Sequence, residues 1–308
     1  MTVDLITVLG PTATGKTSFG VALTALLNGE IISADSRQVY KGMDIGTGKD
    51  LNEYHYMDQD IPYHMIDIVE PGYEYNVFEF QNDFLKVYED IKSRERIPVL
   101  CGGTGMYIES VLKGYKLIPV PEDIDLRLEL QEKEQHELVE ILATYKDVHN
   151  TTDTDDRERL VRAIEIQKYY KEHTEIDTSF PTINSVIFGI QFDRQEIRSR
   201  ITQRLVQRLE EGMIEEVRGL MNNGLKAEQL RFYGLEYKYV TDHIIGKIGY
   251  NEMFKLLNTA IHQFAKRQMT WFKRMQKQGV EIHWIDGKLP LDKKLNQALM
   301  VLNQIAND

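Results

Sequence analysis

Cysteine is almost absent from this 308-residue chain. Cys101 stands alone, which excludes an intrachain disulfide and any metal cluster built on several thiolates. Long apolar runs are missing too: nothing approaches the roughly 20 residues that span a bilayer. The N-terminus MTVDLITVLG has neither a basic leader nor a cleavage site, so a cytoplasmic protein is expected. Positive charge is in deficit. With 37 Lys and Arg against 48 Asp and Glu, the net charge is −11, which on average disfavours nucleic-acid binding. What is present is ordinary for a globular protein, with 42% hydrophobic and 28% charged residues. The length suits about two domains.

In the first third, apolar runs alternate with amphipathic helical patterns. LITVLG, EIISAD, YHMIDIV at 63–69 and IPVLCGG at 97–103 read as short buried strands, and the segments after them as helices. That alternation predicts an α/β fold, a parallel sheet covered by helices on both faces. Beyond Pro119 and Pro121 the chain becomes highly charged and helical, and SVIFGIQFD at 185–193 restores a strand pattern. Helical patterns follow at 194–223, 251–278 and 290–306, with a strand at VEIHWID. The expected organisation is a core of 1–121 and 180–308 interrupted by a helical insertion domain at 122–179.

Residues 10–17 read GPTATGKT, matching G-x-x-x-x-G-K-[ST] between a strand and a helix. In such a loop, glycines permit close approach, and backbone N–H groups and the helix N-terminus point at an anion. Gly10, Pro11, Thr12, Ala13, Thr14, Gly15, Lys16 and Thr17 are therefore candidate phosphate ligands, with Thr17 offering a hydroxyl to Mg2+. The core is thus expected to resemble P-loop NTPases. Asp35 ends the second strand, on the side of a parallel sheet that faces the ligand crevice. A Mg2+ ligand, a general base and a turn-capping acid are all compatible with it. Arg200, Arg204 and Arg208 recur every four residues and line one helix face. A solvated basic face is the expectation for Arg200 and Arg208.

GPTATGKT, SADSRQVYKGMDIGTGK, YHMIDIVEP, VLCGGTGMYIESVL, DDRERLVRAIEI and AKRQMTWFKR occur in the order seen in tRNA dimethylallyltransferases, also called tRNA isopentenyltransferases, and the resemblance spans nearly the whole chain. It implies transfer of a dimethylallyl group from dimethylallyl diphosphate to an adenine amine beside the tRNA anticodon. Asp35 would then be the catalytic base, and Thr17, through Mg2+, and Arg204 would act on the diphosphate. For tRNA contact it implies Asp35, Ser36, Arg37 and Gln38; Thr104; Arg127; Glu158, Arg159, Leu160, Val161 and Arg162; and Arg231, Phe232, Tyr233 and Gly234. A monomer is expected.

Two stretches depart from the family pattern: GTGKD at 46–50 in place of GTAKP, and GLEYK at 234–238 in place of a glycine followed by an aromatic. No C-terminal zinc-finger pattern is present in this sequence. A prenyltransferase acting on free adenine nucleotides, a P-loop small-molecule kinase and a non-catalytic RNA-binding switch are the alternatives. The net negative charge is reconciled with RNA binding by localisation. HQFAKRQMTWFKRMQKQ carries Lys266, Arg267, Lys273, Arg274 and Lys277 without an acid, and screening limits each charge to about 8–10 Å. These cations are expected to form a wall facing the RNA, while Trp271 and Phe272 pack inward.

Overall fold

The computed structural model describes residues 3–145, 157–173 and 180–307. It comprises two compact units: Met1–Tyr115 with Pro181–Asp308, and Lys116–Phe180.

The first unit is built on strands β1 (Leu5–Leu9), β2 (Gly29–Ala34), β5 (Tyr63–His64), β6 (Ile97–Gly102), β7 (Ser185–Gln191) and β8 (His283–Asp286). They form one parallel sheet in the order β5-β2-β6-β1-β7-β8. Every residue of β1 and β2 is buried. That is why these strands read as continuous apolar runs and not as alternating patterns. The helices of this unit are α1 (Lys16–Leu26), α2 (Val77–Ser93), α3 (Gly105–Leu112), α7 (Arg194–Glu210), α8 (Met213–Asn222), α9 (Ala227–Leu230), α10 (Leu235–Ile244), α11 (Tyr250–Lys277) and α12 (Leu291–Asn307). Asn76 and Glu79 form a capping box at the start of α2, and Phe80, Phe84, Tyr88 and Ile91 recur on its buried face.

Two local departures have clear causes. The expected strand at 63–69 stops after His64, because Met65 and Asp67 adopt positive φ of 63° and 56°. The kink turns the Asp67 carboxylate onto the Lys49 ammonium, which the strand pattern could not foretell. A small hairpin, β3 (His55–Tyr56) with β4 (Gln59–Asp60), was not anticipated. Its turn residues Met57 and Asp58 both have positive φ, a conformation usually announced by Asn-Gly or Asp-Gly. The helical pattern at 194–223 is two helices, broken where Gly212 takes φ 101°.

The second unit consists, among its described residues, of α4 (Ile124–Gln131), α5 (Gln135–Ala143) and α6 (Arg157–Glu172). Leu126, Leu130, Leu138, Leu142, Leu160 and Ile164 form its core. The division from the first unit falls at Lys116, earlier in the chain than the sequence-based bound of 122. The other bound, 179, lies outside the described residues. Within this unit the buried Glu165 takes Arg127 Nε on one oxygen at 3.1 Å and Arg127 Nη2 on the other at 3.1 Å. Arg162 pairs with the same carboxylate and donates to Val120 O at 2.7 Å.

Candidate active site

β1 delivers the chain into the phosphate loop, and the two loop glycines are needed for different reasons. A Cβ on Gly10 would lie 2.9 Å from both Ile190 O and Thr14 Oγ1, so it is space that forbids a side chain there. Gly15 has open space around it, but caps α1 at φ 71°, so conformation is the constraint. Ala13 also holds a left-handed φ of 62°. Thr14 Oγ1 donates to Pro11 O at 2.9 Å and closes the loop. Burial lowers the pKa of Lys16, and the nearby Asp35 charge opposes that shift. The loop and its lysine therefore form an anion-ready cradle, with Thr17 in the first turn of α1.

β2, β6 and β1 are neighbours, so the loops following them gather at one edge of the sheet. Asp35 follows β2. Its Oδ1 accepts the Arg37 N–H at 2.9 Å, so the turn-capping role exists and fixes the direction of the carboxylate. Ser36 N donates to Thr104 Oγ1 at 3.0 Å, joining the β2 and β6 loops. Gln38 is an internal strut: its Oε1 accepts from Ser33 Oγ and its Nε2 donates to Gly48 O, both at 3.0 Å. A second strut was missed by sequence reasoning. Gln268, on α11, accepts from Thr12 N at 2.9 Å and donates to Gly103 O at 2.9 Å. It ties the phosphate loop to the β6 loop, and its only sequence signal was membership of the KRQMTWF block.

The arginine ridge of α7 corrects the expectation of a solvated face. Arg200 Nε donates to Ala13 O at 2.9 Å, and its guanidinium lies 4.6 Å from the Phe192 ring centroid. Arg204 pairs with Asp50. Arg208 is buried, 8% exposed, with Nη2 3.6 Å from Asp50 and without a hydrogen-bond partner among the described residues. Thr12, Ala13, Arg204, Arg208 and Glu236 line a common pocket. Burial raises the Glu236 carboxyl pKa, opposed by the Arg208 charge. Three arginines thus converge on the loop because the four-residue spacing turns one face of α7 toward it. Asp50 and Glu236 went unassigned in the sequence; only the GTGKD departure hinted at Asp50.

The residues assigned to RNA by resemblance divide. Phe232 is 42% exposed with the Arg37 guanidinium 5.4 Å from its ring centroid, so these two are brought together. Tyr233, by contrast, is a core residue: it is 2% exposed, packs 4.6 Å from the Tyr40 ring and accepts the Gly72 N–H. Its ring offers no surface to RNA. Arg231 is held by Asp242 at 2.5 Å, and Gly234 takes φ 131° ahead of α10. In the helical unit Leu160 is likewise core, whereas Glu158 and Arg159 are exposed and Val161 is half-buried. Arg127 and Arg162 are both engaged by the buried Glu165, which fixes their guanidiniums.

On α11, Lys266, Arg267, Lys273 and Lys277 are exposed, and Phe272 is fully buried as expected. Arg274 departs from the cationic wall. It stacks 4.1 Å from the Trp271 ring centroid and pairs at 2.5 Å with Glu109, itself only 1% exposed. Glu109, a buried acid on α3, has turned that arginine inward.

Comparison with known proteins agrees with this architecture. The IPP transferase family profile matches residues 38–275, and an isopentenyl transferase profile matches residues 1–57. A tRNA dimethylallyltransferase 2 of Bacteroides fragilis is 58% identical over 293 residues, covering 95% of this chain and 96% of that protein. Among solved structures, the full-length tRNA isopentenylpyrophosphate transferase of Bacillus halodurans superposes with TM-score 0.70 at 31% identity, covering 98% of this chain and 95% of the other. A eukaryotic dimethylallyltransferase acting on tRNA shares the fold at TM-score 0.78 and 22% identity, covering 99% of this chain and 80% of its own. The chain belongs to the IPP transferase family.

Proposed function

We propose that this chain transfers a dimethylallyl group from dimethylallyl diphosphate to the exocyclic N6 amine of the adenine immediately 3′ of the anticodon in tRNA, releasing diphosphate. The observation that carries this reading is the placement of a phosphate cradle and a carboxylate after neighbouring strands, braced against each other by the Ser36–Thr104 and Thr12–Gln268–Gly103 hydrogen bonds. A kinase would need the same cradle. The family membership favours an isoprenoid diphosphate in it.

The reaction forms a bond from N6 to the allylic carbon and breaks the bond from that carbon to the diphosphate oxygen. An adenine amine is a weak nucleophile because its lone pair is delocalised into the ring. Asp35 accepts the N6 proton as bonding begins, the role in which a positioned base contributes about 10²–10⁴-fold. The leaving diphosphate gathers negative charge. Lys16, the loop N–H groups and Arg204 are preorganised to meet that charge. No group of three or more His, Cys, Asp or Glu residues among the described residues forms a metal cage. The site suits a Mg2+ ion held by the Thr17 hydroxyl and the donor's own oxygens, the habit of that ion in phosphate chemistry. Bound there, Mg2+ would neutralise diphosphate charge.

For the acceptor, Arg37 and Phe232 supply a cation and an exposed ring beside the Asp35 loop, and the exposed cations of α11 supply phosphate contacts. The exposed Glu158 and Arg159 are the candidate contacts of the helical unit. No described helix is long and apolar enough to cross a membrane, and action as a monomer on cytoplasmic tRNA completes the proposal. Incubation with dimethylallyl diphosphate, Mg2+ and bulk tRNA, followed by nucleoside mass spectrometry, tests it. The expected product is N6-dimethylallyladenosine in the RNA. Unmodified tRNA alongside prenylated AMP, ADP or ATP would overturn it.

A further inference from the structure

Asp50 lies in the GTGKD stretch, and its surroundings account for both departures in that stretch together. Lys49, 1% exposed, is fixed by Tyr40 O at 2.6 Å, Asp44 Oδ1 at 2.8 Å and the Asp67 carboxylate. All three ammonium protons are thereby used, and the backbone next to Asp50 is anchored. Gly48 takes φ +67°, and a Cβ on it would sit 1.7 Å from Arg208 Nη2 and 2.9 Å from Arg204 Nη2. A glycine here is what lets both guanidiniums approach the loop. Asp50 then meets them: it pairs with Arg204 and lies 3.6 Å from the buried Arg208 Nη2, which has no hydrogen-bond partner among the described residues.

We propose that Asp50 is a positioning residue that stands in for the donor's diphosphate, holding Arg204 and Arg208 before a donor binds and yielding them when a diphosphate enters. The inference rests on the donor reading above. Two guanidiniums facing the same pocket repel each other and are costly to leave unpaired when partly buried. Asp50, with Glu236 also lining the pocket, neutralises only part of the charge that a diphosphate can meet. A diphosphate brings more negative charge and more acceptor oxygens, so it displaces Asp50. When the product departs, Asp50 takes the arginines back, which weakens the hold on diphosphate and speeds its release.

The test measures inorganic pyrophosphate binding by calorimetry in Mg2+ buffer, together with steady-state kinetics on dimethylallyl diphosphate and tRNA. Asp50→Asn keeps the shape and removes the charge. It is expected to lower the pyrophosphate Kd and the donor KM about two- to fivefold, the scale of one partly exposed ion pair, without raising kcat. Asp50→Glu should restore wild-type values, and a purely structural role would not tighten pyrophosphate. Unchanged or weaker pyrophosphate binding by a folded Asp50→Asn protein, with Arg204→Ala losing binding, would overturn the inference alone. Wild-type pyrophosphate binding by Arg204→Ala would overturn both this inference and the donor-site assignment.

Discussion

Lys273 and Arg274 are adjacent cations on α11, yet reversing their charges should have opposite consequences. Lys273 is exposed. Arg274 Nη2 lies 2.5 Å from Glu109 Oε2, and Glu109, 1% exposed, also takes Lys113 Nζ at 2.8 Å on its other oxygen. Breaking one partner of a buried pair costs about 3–5 kcal/mol. Lys113 remains after the change and the Arg274 side chain is 40% exposed, so about 2–3 kcal/mol is the better figure for Arg274→Glu. At roughly 2–4 °C per kcal/mol for a unit of this size, melting should fall by about 4–12 °C. Lys273→Glu, an exposed change, should stay within about 0.5 kcal/mol of wild type. It should instead weaken tRNA binding and reduce the slope of log affinity against log salt by about 0.7–0.9 for the lost phosphate contact. Near-ultraviolet circular dichroism melts and filter binding across a salt series measure the two effects. If Arg274→Glu melts like wild type and weakens tRNA as Lys273→Glu does, the inward ion pair is wrong and Arg274 belongs to the cationic wall.

The same carboxylate predicts an acid response. Burial pushes the Glu109 pKa up, but the Lys113 hydrogen bond and the Arg274 charge more than offset it and hold it below the ordinary 4.5. A depressed folded pKa means that this stabilisation is complete above pH 4.5 and drains away as pH falls through the folded value. The melting gap between wild type and Arg274→Met should therefore shrink below about pH 4; a gap constant from pH 7 to pH 3 would contradict it. Asp35→Ala should retain pyrophosphate binding but lose about 10²–10⁴-fold in turnover of tRNA, and activity within a few-fold of wild type would remove Asp35 from the role of base. Gln268→Leu leaves the Thr12 N–H and Gly103 C=O without their partner, at about 1–3 kcal/mol each, and should raise the donor KM about tenfold as the loop slackens. An unchanged KM would show that the loop holds its shape without that strut.

The chain's linear pattern was enough for the parallel sheet, the phosphate loop and the position of Asp35, because each depends on neighbours in sequence. Buried parallel strands must be apolar throughout, as β1 and β2 are. The loop needs glycines and a lysine at set spacing, and a residue that closes a parallel strand falls at the ligand edge. Family resemblance then supplied the expected substrate, which spacing alone left open between several phosphate chemistries. What only the tertiary structure decided is which side chains are free to act. Tyr233 and Leu160 lie in motifs read as RNA contacts, yet both are core, since burial depends on what packs against a residue and not on its neighbours in the chain. Arg274 turned inward because Glu109, 165 positions away, waits beneath it. Arg208 left the solvated face its spacing suggested because Gly48 and Asp50, distant in sequence, open a place for a guanidinium beside the loop. Long-range pairing of charge is set by the fold, so it has no signature along the chain.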